Sequence, residues 1–359
     1  MGPHQWRGII LDLQLEQKKV ASKVSWTHCS IHRQALATKC MPVGLKEVLD
    51  NAVKMVNFIK SWPTNSRIFH VLCEEMGSIH NCLLTHTEVR WLSWGKILVC
   101  LFEFRTEILV CLFLFFFSNS HPFHLASCME NNVWLQSIAY LADIFSRIND
   151  LNLYLQGLNI TVFNVQERVQ SMMKLQFWES CLENNQTECF TNLHDFLAEH
   201  KLQLDQCTKT NTIAHLKGLC TTFREYFPAM SGDNDWICNP FDDTTFSTQI
   251  LNTEEKEKLI EISCDYELKR SFRSLSLINF WLSLRNKYPL LAEKAAAVLL
   301  PFSTTYLCEK AFSSYAHLKT KYRNRLDAEP DLRLYLSPVV LDFQELCRAK
   351  MRIHHTEEI

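Results

Sequence analysis

Four short stretches carry side chains whose types and spacing could do chemistry. In "PFSTTYLCEKAFSS" (residues 301–314) a single carboxylate, Glu309, stands among small and apolar neighbours with Lys310 beside it. A carboxylate can hold a hard cation, but one alone cannot place two of them against an incoming phosphate. In "SWTHCSIHRQALA" Cys29 and His32 lie three apart, so on a helix they face the same side and could form half of a metal site. No second half stands out, and the plainer alternative has Cys29 packing as a small apolar residue while His32 bonds a neighbouring backbone or carboxylate group. In "HTEVRWLSWGK" Arg90, Trp91, Trp94 and Lys96 pair a guanidinium for phosphates with an indole that can stack on an unpaired base. The competing arrangement is a buried indole in a helix contact, with Arg90 paired to a carboxylate such as Glu88. In "HLKTKYRNRL", Lys319, Lys321, Arg323 and Arg325 place four bases within seven residues, a phosphate patch or a solvated basic face.

The elements that must position these groups are helical. In "GLKEVLDNAVKMVNFIKSW", Leu45, Val48, Leu49, Ala52, Val53, Val56 and Ile59 recur at three- and four-residue steps, with Lys46, Glu47, Asp50 and Lys54 on the other side. In "NNVWLQSIAYLADIFSRINDLNLYLQG" the stripe is Trp134, Ile138, Leu141, Ile144, Phe145, Ile148 and Leu151, with Gly157 placed to end it. Further helices are predicted over 162–183, 188–199, 212–227 and 253–268, the last with a Thr or Asn cap and acids in its first turn. A helix stopped before Pro289, then an Ala-rich helix from Leu290, precede Pro301. Strand candidates are few: "RGIILDLQL", "VSWTHCSI" and a short buried "AVLLPFS" near residue 300. Connections are expected at 118–123 and at 229–245, the second rich in Asp, Asn, Gly and Pro and the better linker. With only eight glycines in 359 residues and few alternating segments, the fold class is mainly α.

Composition narrows the function. A 47% hydrophobic content is ample for a core in a chain of 359 residues, and 37 basic against 39 acidic residues give no global drive towards nucleic acid or an anionic membrane. Fifteen cysteines, odd in number and irregular in spacing, include no C-x-x-C pair, so they are read as reduced and intracellular and the chain as not secreted. The run "ILVCLFLFFF" is ten residues long, whereas a membrane-crossing helix needs about 20, so a buried helix is expected and no membrane association. Nothing in the chain asks for a cofactor or a small-molecule substrate.

The order "WTHCSIHR", "HTEVRWLSWGK", "YLADIFSRINDLNLYLQG" and "FWLSLRNKYPLLAEKAAAVLLPFSTTYLCEKAFSS" resembles the hAT-superfamily transposases, and within them the domesticated group that includes Buster transposase-like, BED-finger and SCAN-domain-containing relatives. The last block is similar to their C-terminal dimerisation signature at Trp281, Tyr288, Pro289, Glu309, Lys310, Phe312 and Ser313. The resemblance implies the helical insertion domain of an hAT transposase, with a truncated RNase H-like α/β remnant formed by the N- and C-terminal segments. Its domains would be the core remnant at 1–30, the insertion at 31–275, the dimerisation region at 276–340 and a tail at 341–359. It also implies that Glu309 matches the third of three metal-binding carboxylates, that Asp12 is the candidate for the second, and that the first lies upstream of this chain, as does any BED or SCAN module. Cys29 and His32 match the family's Cys-x-x-His motif, and Arg90 and Trp91 its Arg-Trp pair near the DNA end.

The expectation is therefore a catalytically inactive nuclear protein with Glu309 and Asp12 vestigial, no metal and no enzyme activity, associating with itself or with other hAT-derived proteins. The anchors expected at that interface are Phe280, Trp281, Leu284, Tyr288, Leu290, Leu291, Val298 and Phe312. The alternative is a DNA-binding transcriptional or chromatin regulator using Arg90, Trp91, Lys96, Lys319, Lys321, Arg323 and Arg325.

Overall fold

A computed structural model describes residues 29–77, 83, 93–118, 126–157, 160–228, 232–301, 303–319 and 326–336. Every regular element among them is helical, as the sequence predicts. Residues 1–28, and with them Asp12, the strand predicted near the N-terminus and nearly all of the expected RNase H-like remnant, lie outside the described residues. The chain divides into two compact units, Met1–Thr304 and Thr305–Ile359.

The first unit begins with α1 (Ser30–Ala37), α2 (Val43–Ser61), α3 (Pro63–Glu75), α4 (Ser93–Glu103) and α5 (Arg105–Ser118). A 3-10 turn (Ala126–Glu130) leads into α6 (Asn132–Leu155), which is followed by α7 (Val162–Ser171), α8 (Leu175–Glu183), α9 (Thr191–His200) and α10 (Gln206–Tyr226). The helix α6 is the axis of the first core. Every residue from Trp134 to Phe145 is buried, which a helix tolerates only when neighbours cover its whole circumference. Asn131 caps its start by accepting from the N–H groups of Val133 and Trp134.

Close packing on α6 has a sequence cause at Gly95. A Cβ there would stand 2.9 Å from the Phe145 carbonyl oxygen, so α4 approaches α6 to a distance that only glycine permits. The apolar run in α5 is a helix with Ile108, Cys111 and Leu112 in the core and Leu114 half exposed. No helix among the described residues is long and apolar enough to cross a membrane.

Buried polar groups on α6 find partners on the helices around it. Asp143 accepts from the backbone N–H groups of Asn192 (3.1 Å) and Leu193 (3.1 Å) and from Asn192 Nδ2 (2.7 Å). The N-terminus of α9 has no cap of its own, so a carboxylate from another helix satisfies its free donors and complements its dipole. Arg147, one turn on, donates to the Cys189 carbonyl and lies over the Trp178 ring at 3.9 Å. His215 of α10 is fully buried, with Nδ1 3.0 Å from the Tyr140 hydroxyl.

A second core follows, built from Phe163 of α7 and from α11 (Asp235–Cys238), α12 (Thr253–Cys264), α13 (Tyr266–Ser274), α14 (Leu277–Ser283) and α15 (Pro289–Leu299). It draws on both sides of residue 275. The single helix predicted over 253–268 is two, because Asp265 leaves the helical conformation and caps α13 through the N–H groups of Glu267 (3.0 Å) and Leu268 (3.1 Å). The strands predicted at "AVLLPFS" and at the end of "VSWTHCSI" are corrected as well. Pro289 opens a helix that its alanines carry to Leu299, and Ser30 and Ile31 open α1.

The second unit contributes α16 (Tyr306–Leu318) and α17 (Glu329–Leu336).

Candidate association surface

The second core explains why the C-terminal third of the first unit holds its shape. Trp281 is buried, donates its Nε1–H to the Ile237 carbonyl at 2.9 Å and meets Trp236 edge-on at 5.2 Å. Phe272 and Phe280 meet edge-on at 4.9 Å. At the start of α12, Asn252 and Glu255 form a capping box, and the same Glu255 receives Lys294 Nζ at 2.6 Å. Burial presses the Glu255 carboxyl upwards, but the hydrogen bonds from Lys294 and the Asn252 N–H, with the Lys294 charge, outweigh it and leave the group below its usual range.

This packing redistributes the residues expected to meet a partner. Phe280, Trp281, Leu284, Tyr288 and Leu291 are buried in the chain's own core, so they are not surface anchors of this chain. The reason is the segment that reads as a linker: Trp236 and Ile237 fold back from it and cover the aromatic face of α14. Val298 is half-buried against the same core. What remains outside in this unit is Leu290 of the expected anchors (50% exposed), together with Leu282 (51%) and Leu300 (65%), which were not among them. Leu282 and Leu300 border a cavity of about 540 Å³ between α14 and α15, lined also by Ile278, Pro289, Ala292 and Ala296, with Arg285 and Glu293 as charged members.

The second unit exposes more. Of its described residues only Ser314 and Ala328 are buried, whereas Phe312 is 73% exposed, Leu334 59% and Tyr335 60%. Lys310 lies over the Tyr335 ring at 5.7 Å and Lys319 over the Tyr315 ring at 5.3 Å. Two short helices with so little buried apolar surface lack a core of their own.

Some of the residues singled out for metal and nucleic-acid chemistry lie among the described residues. Glu309 lies exposed in the first turn of α16, where Thr305 Oγ1 donates to it at 2.9 Å. The metal pair that the resemblance implies needs several oxygen donors converging on one point. Among the described residues no group of three or more His, Cys, Asp or Glu side chains able to hold a metal ion occurs, at Glu309 or elsewhere. Cys29 sits at the N-cap position of α1 and His32 is exposed on that helix. Arg90, Trp91, Lys321, Arg323 and Arg325 lie outside the described residues, while Lys96 is exposed on α4 and Lys319 ends α16.

One surface escaped the sequence reading. On α13, Tyr266 is 83% exposed, and Lys269, Arg270 and Arg273 are exposed at the three-, four- and seven-residue steps that put them on the same face. Lys287 stands 3.3 Å from Asp265 at the start of that helix. The signal was present in "YELKRSFRS", whose apolar residues alternate with bases at helical spacing, but the helix break at Asp265 that sets its phase was not foreseen.

Two known families match separate parts of the chain. Residues 28–183 match a FAM200-GTF2IRD2-like family, described as the FAM200/GTF2IRD2 helical domain. Residues 257–337 match the hAT family C-terminal dimerisation region. No solved structure matches the chain. Together the helical-domain match and the dimerisation-region match support an hAT transposase-derived protein with a dimerisation-related role.

Proposed function

We propose that this chain is a domesticated, catalytically inactive hAT transposase-derived protein that acts by associating, through α14–α17, with a second copy of itself or with another hAT-derived protein in the nucleus. The observation that carries the reading is the exposed apolar surface of α16 and α17, Phe312, Leu334 and Tyr335 above all, within a segment matching a dimerisation region. Inactivity is supported by Glu309, whose carboxylate accepts from Thr305 and, among the described residues, joins no group of ligands able to hold a metal ion. The test is sedimentation velocity of the full chain at micromolar concentration. A dimer that a Phe312→Asp, Leu334→Asp double variant converts to monomer, with unchanged far-UV circular dichroism, is expected. A wild-type chain that stays monomeric alone and with a second hAT-derived protein overturns the proposal. Cleavage of a hairpin-ended DNA in the presence of Mg²⁺ or Mn²⁺ would overturn inactivity alone, and a tagged chain confined to the cytosol would overturn the nuclear location.

A second reading, a nucleic-acid-binding regulator, is favoured by the face of α13 carrying Tyr266, Lys269, Arg270 and Arg273. Three cations at helical spacing suit phosphates, and an exposed ring suits an unpaired base. Binding of labelled DNA should then weaken with a log–log salt slope of about −0.7 to −0.9 per phosphate neutralised, and the slope should flatten in Arg270→Ala, Arg273→Ala. Salt-independent binding, or none, removes this reading.

A further inference from the structure

Among the described cysteines, Cys181 and Cys189 have their sulfurs 3.8 Å apart across a tight reversal of the chain. Cys181 lies in the last turn of α8 and is buried, and Cys189 stands just before α9 and is half-buried. The reversal is held independently of the sulfurs. Gln186 N–H donates to the Cys181 carbonyl (2.8 Å), Asn185 adopts a left-handed φ of 58°, and Phe190 N–H donates to the Thr187 carbonyl (2.8 Å). Beyond Cys189, its own carbonyl is gripped by Arg147 and Phe190 is fully buried. Both cysteines are therefore fixed at their backbones, and their side chains face each other at contact distance.

A disulfide bond is about 2.05 Å long, so the sulfurs must approach by roughly 1.8 Å, which rotation of the two side chains can supply without moving the helices. By contrast Cys73 and Cys111, whose thiols also sense each other, are both fully buried, which closes them to a reagent.

We propose that Cys181 and Cys189 form a dithiol that exchanges with a small-molecule disulfide of the glutathione type to become an intrachain disulfide. The Cys189 sulfur, as thiolate, attacks one sulfur of the external disulfide, forming a mixed disulfide and releasing one thiolate. The Cys181 sulfur, after giving up its proton, attacks the Cys189 sulfur and releases the second. Two protein thiols are oxidised, one external disulfide is reduced to two thiols, and no other bond changes. The product is a short covalent ring that locks the end of α8 to the start of α9. Burial, with Cys181 beside it, pushes the Cys189 thiol up, so the exchange accelerates as pH rises above neutral.

The test uses the full chain, incubated at pH 8 with glutathione and its disulfide at set ratios, blocked with an alkylating reagent and digested with trypsin. Both cysteines fall in one tryptic peptide, residues 175–201, which contains no other cysteine. The expected result is that this peptide becomes lighter by two hydrogens and loses both alkylation sites at ratios that leave the exposed Cys207 largely reduced. In Cys181→Ser the same peptide should instead retain one glutathione on Cys189. The proposal is overturned if peptide 175–201 stays doubly alkylated while Cys207 is glutathionylated, or if Cys189 of the wild-type chain stops at the mixed disulfide.

Discussion

The most exacting consequence of the packing concerns His215. Its imidazole is fully buried, and burial holds its pKa down to about 4 from the ordinary 6.5. The neutral ring has one consistent hydrogen-bonding scheme. If Nδ1–H donates to the Tyr140 hydroxyl at 3.0 Å, that hydroxyl can donate on to the Thr212 carbonyl at 3.5 Å, and only the Nε2 lone pair is left without a partner. The opposite tautomer would strand an N–H donor in the core.

The sign of the pH effect follows from the lowered pKa. Above pH 6.5 folded and unfolded chains are both neutral at this site, and its neutral-state stability is fully present. As pH falls towards 4 the unfolded chain gains a proton that the folded chain refuses, so stability is lost. Between pH 7 and pH 5 the loss comes to about 2 kcal/mol, and by pH 4 it approaches 3 kcal/mol. The variant is His215→Gln, which keeps polar atoms in the site and cannot titrate in this range. Urea unfolding followed by tryptophan fluorescence at pH 7, 6 and 5 gives the difference in stability between wild type and variant. That difference should shrink by about 2 kcal/mol across the series. Curves that stay parallel would refute the reasoning, as would a His215 proton resonance titrating near 6.5.

Two further substitutions probe the same core. In Gly95→Ala the usual gain of about 1 kcal/mol for removing a helical glycine should be outweighed by the approach to the Phe145 carbonyl, lowering stability by about 1–3 kcal/mol and the thermal midpoint with it; an unchanged or raised midpoint would show that α4 can withdraw at no cost. Asp143→Ala strips the N-terminus of α9 of its acceptor and should cost about 1–3 kcal/mol in urea unfolding, whereas Asp195→Ala on the exposed face of the same helix should stay within about 0.5 kcal/mol.

What the sequence makes legible is periodicity, and what it hides is the company each helix keeps. The stripes in α2 and α6 could be read off at three- and four-residue steps, because amphipathicity is local. That α6 also buries Gln136, Ser137 and Asp143 on its other faces could not, since their partners lie on α9, on α10 and in the connection between those helices. The interface anchors show the same limit. Trp281 is of a type common among hot-spot residues, but the groups that cover it are Trp236 and Ile237, the latter 44 residues away, in a stretch rich in Asp, Asn, Gly and Pro. The candidate catalytic acid was legible only as a resemblance. Its isolation from other ligands among the described residues is a fact of three dimensions that spacing does not encode.

That correction separates two properties which a reading of composition merges. Trp281 and Leu282 are adjacent, yet on a helix they point about 100° apart. One is sealed in the second core with its indole N–H satisfied, and the other is half exposed beside the cavity of α14 and α15. Under the proposed association, stability and association therefore rest on different faces of the same short helices, and they can be lost independently. For the proposed association surface, the buried face must hold the exposed one in shape. The aromatic cluster around Trp281 supplies that hold from within the second core.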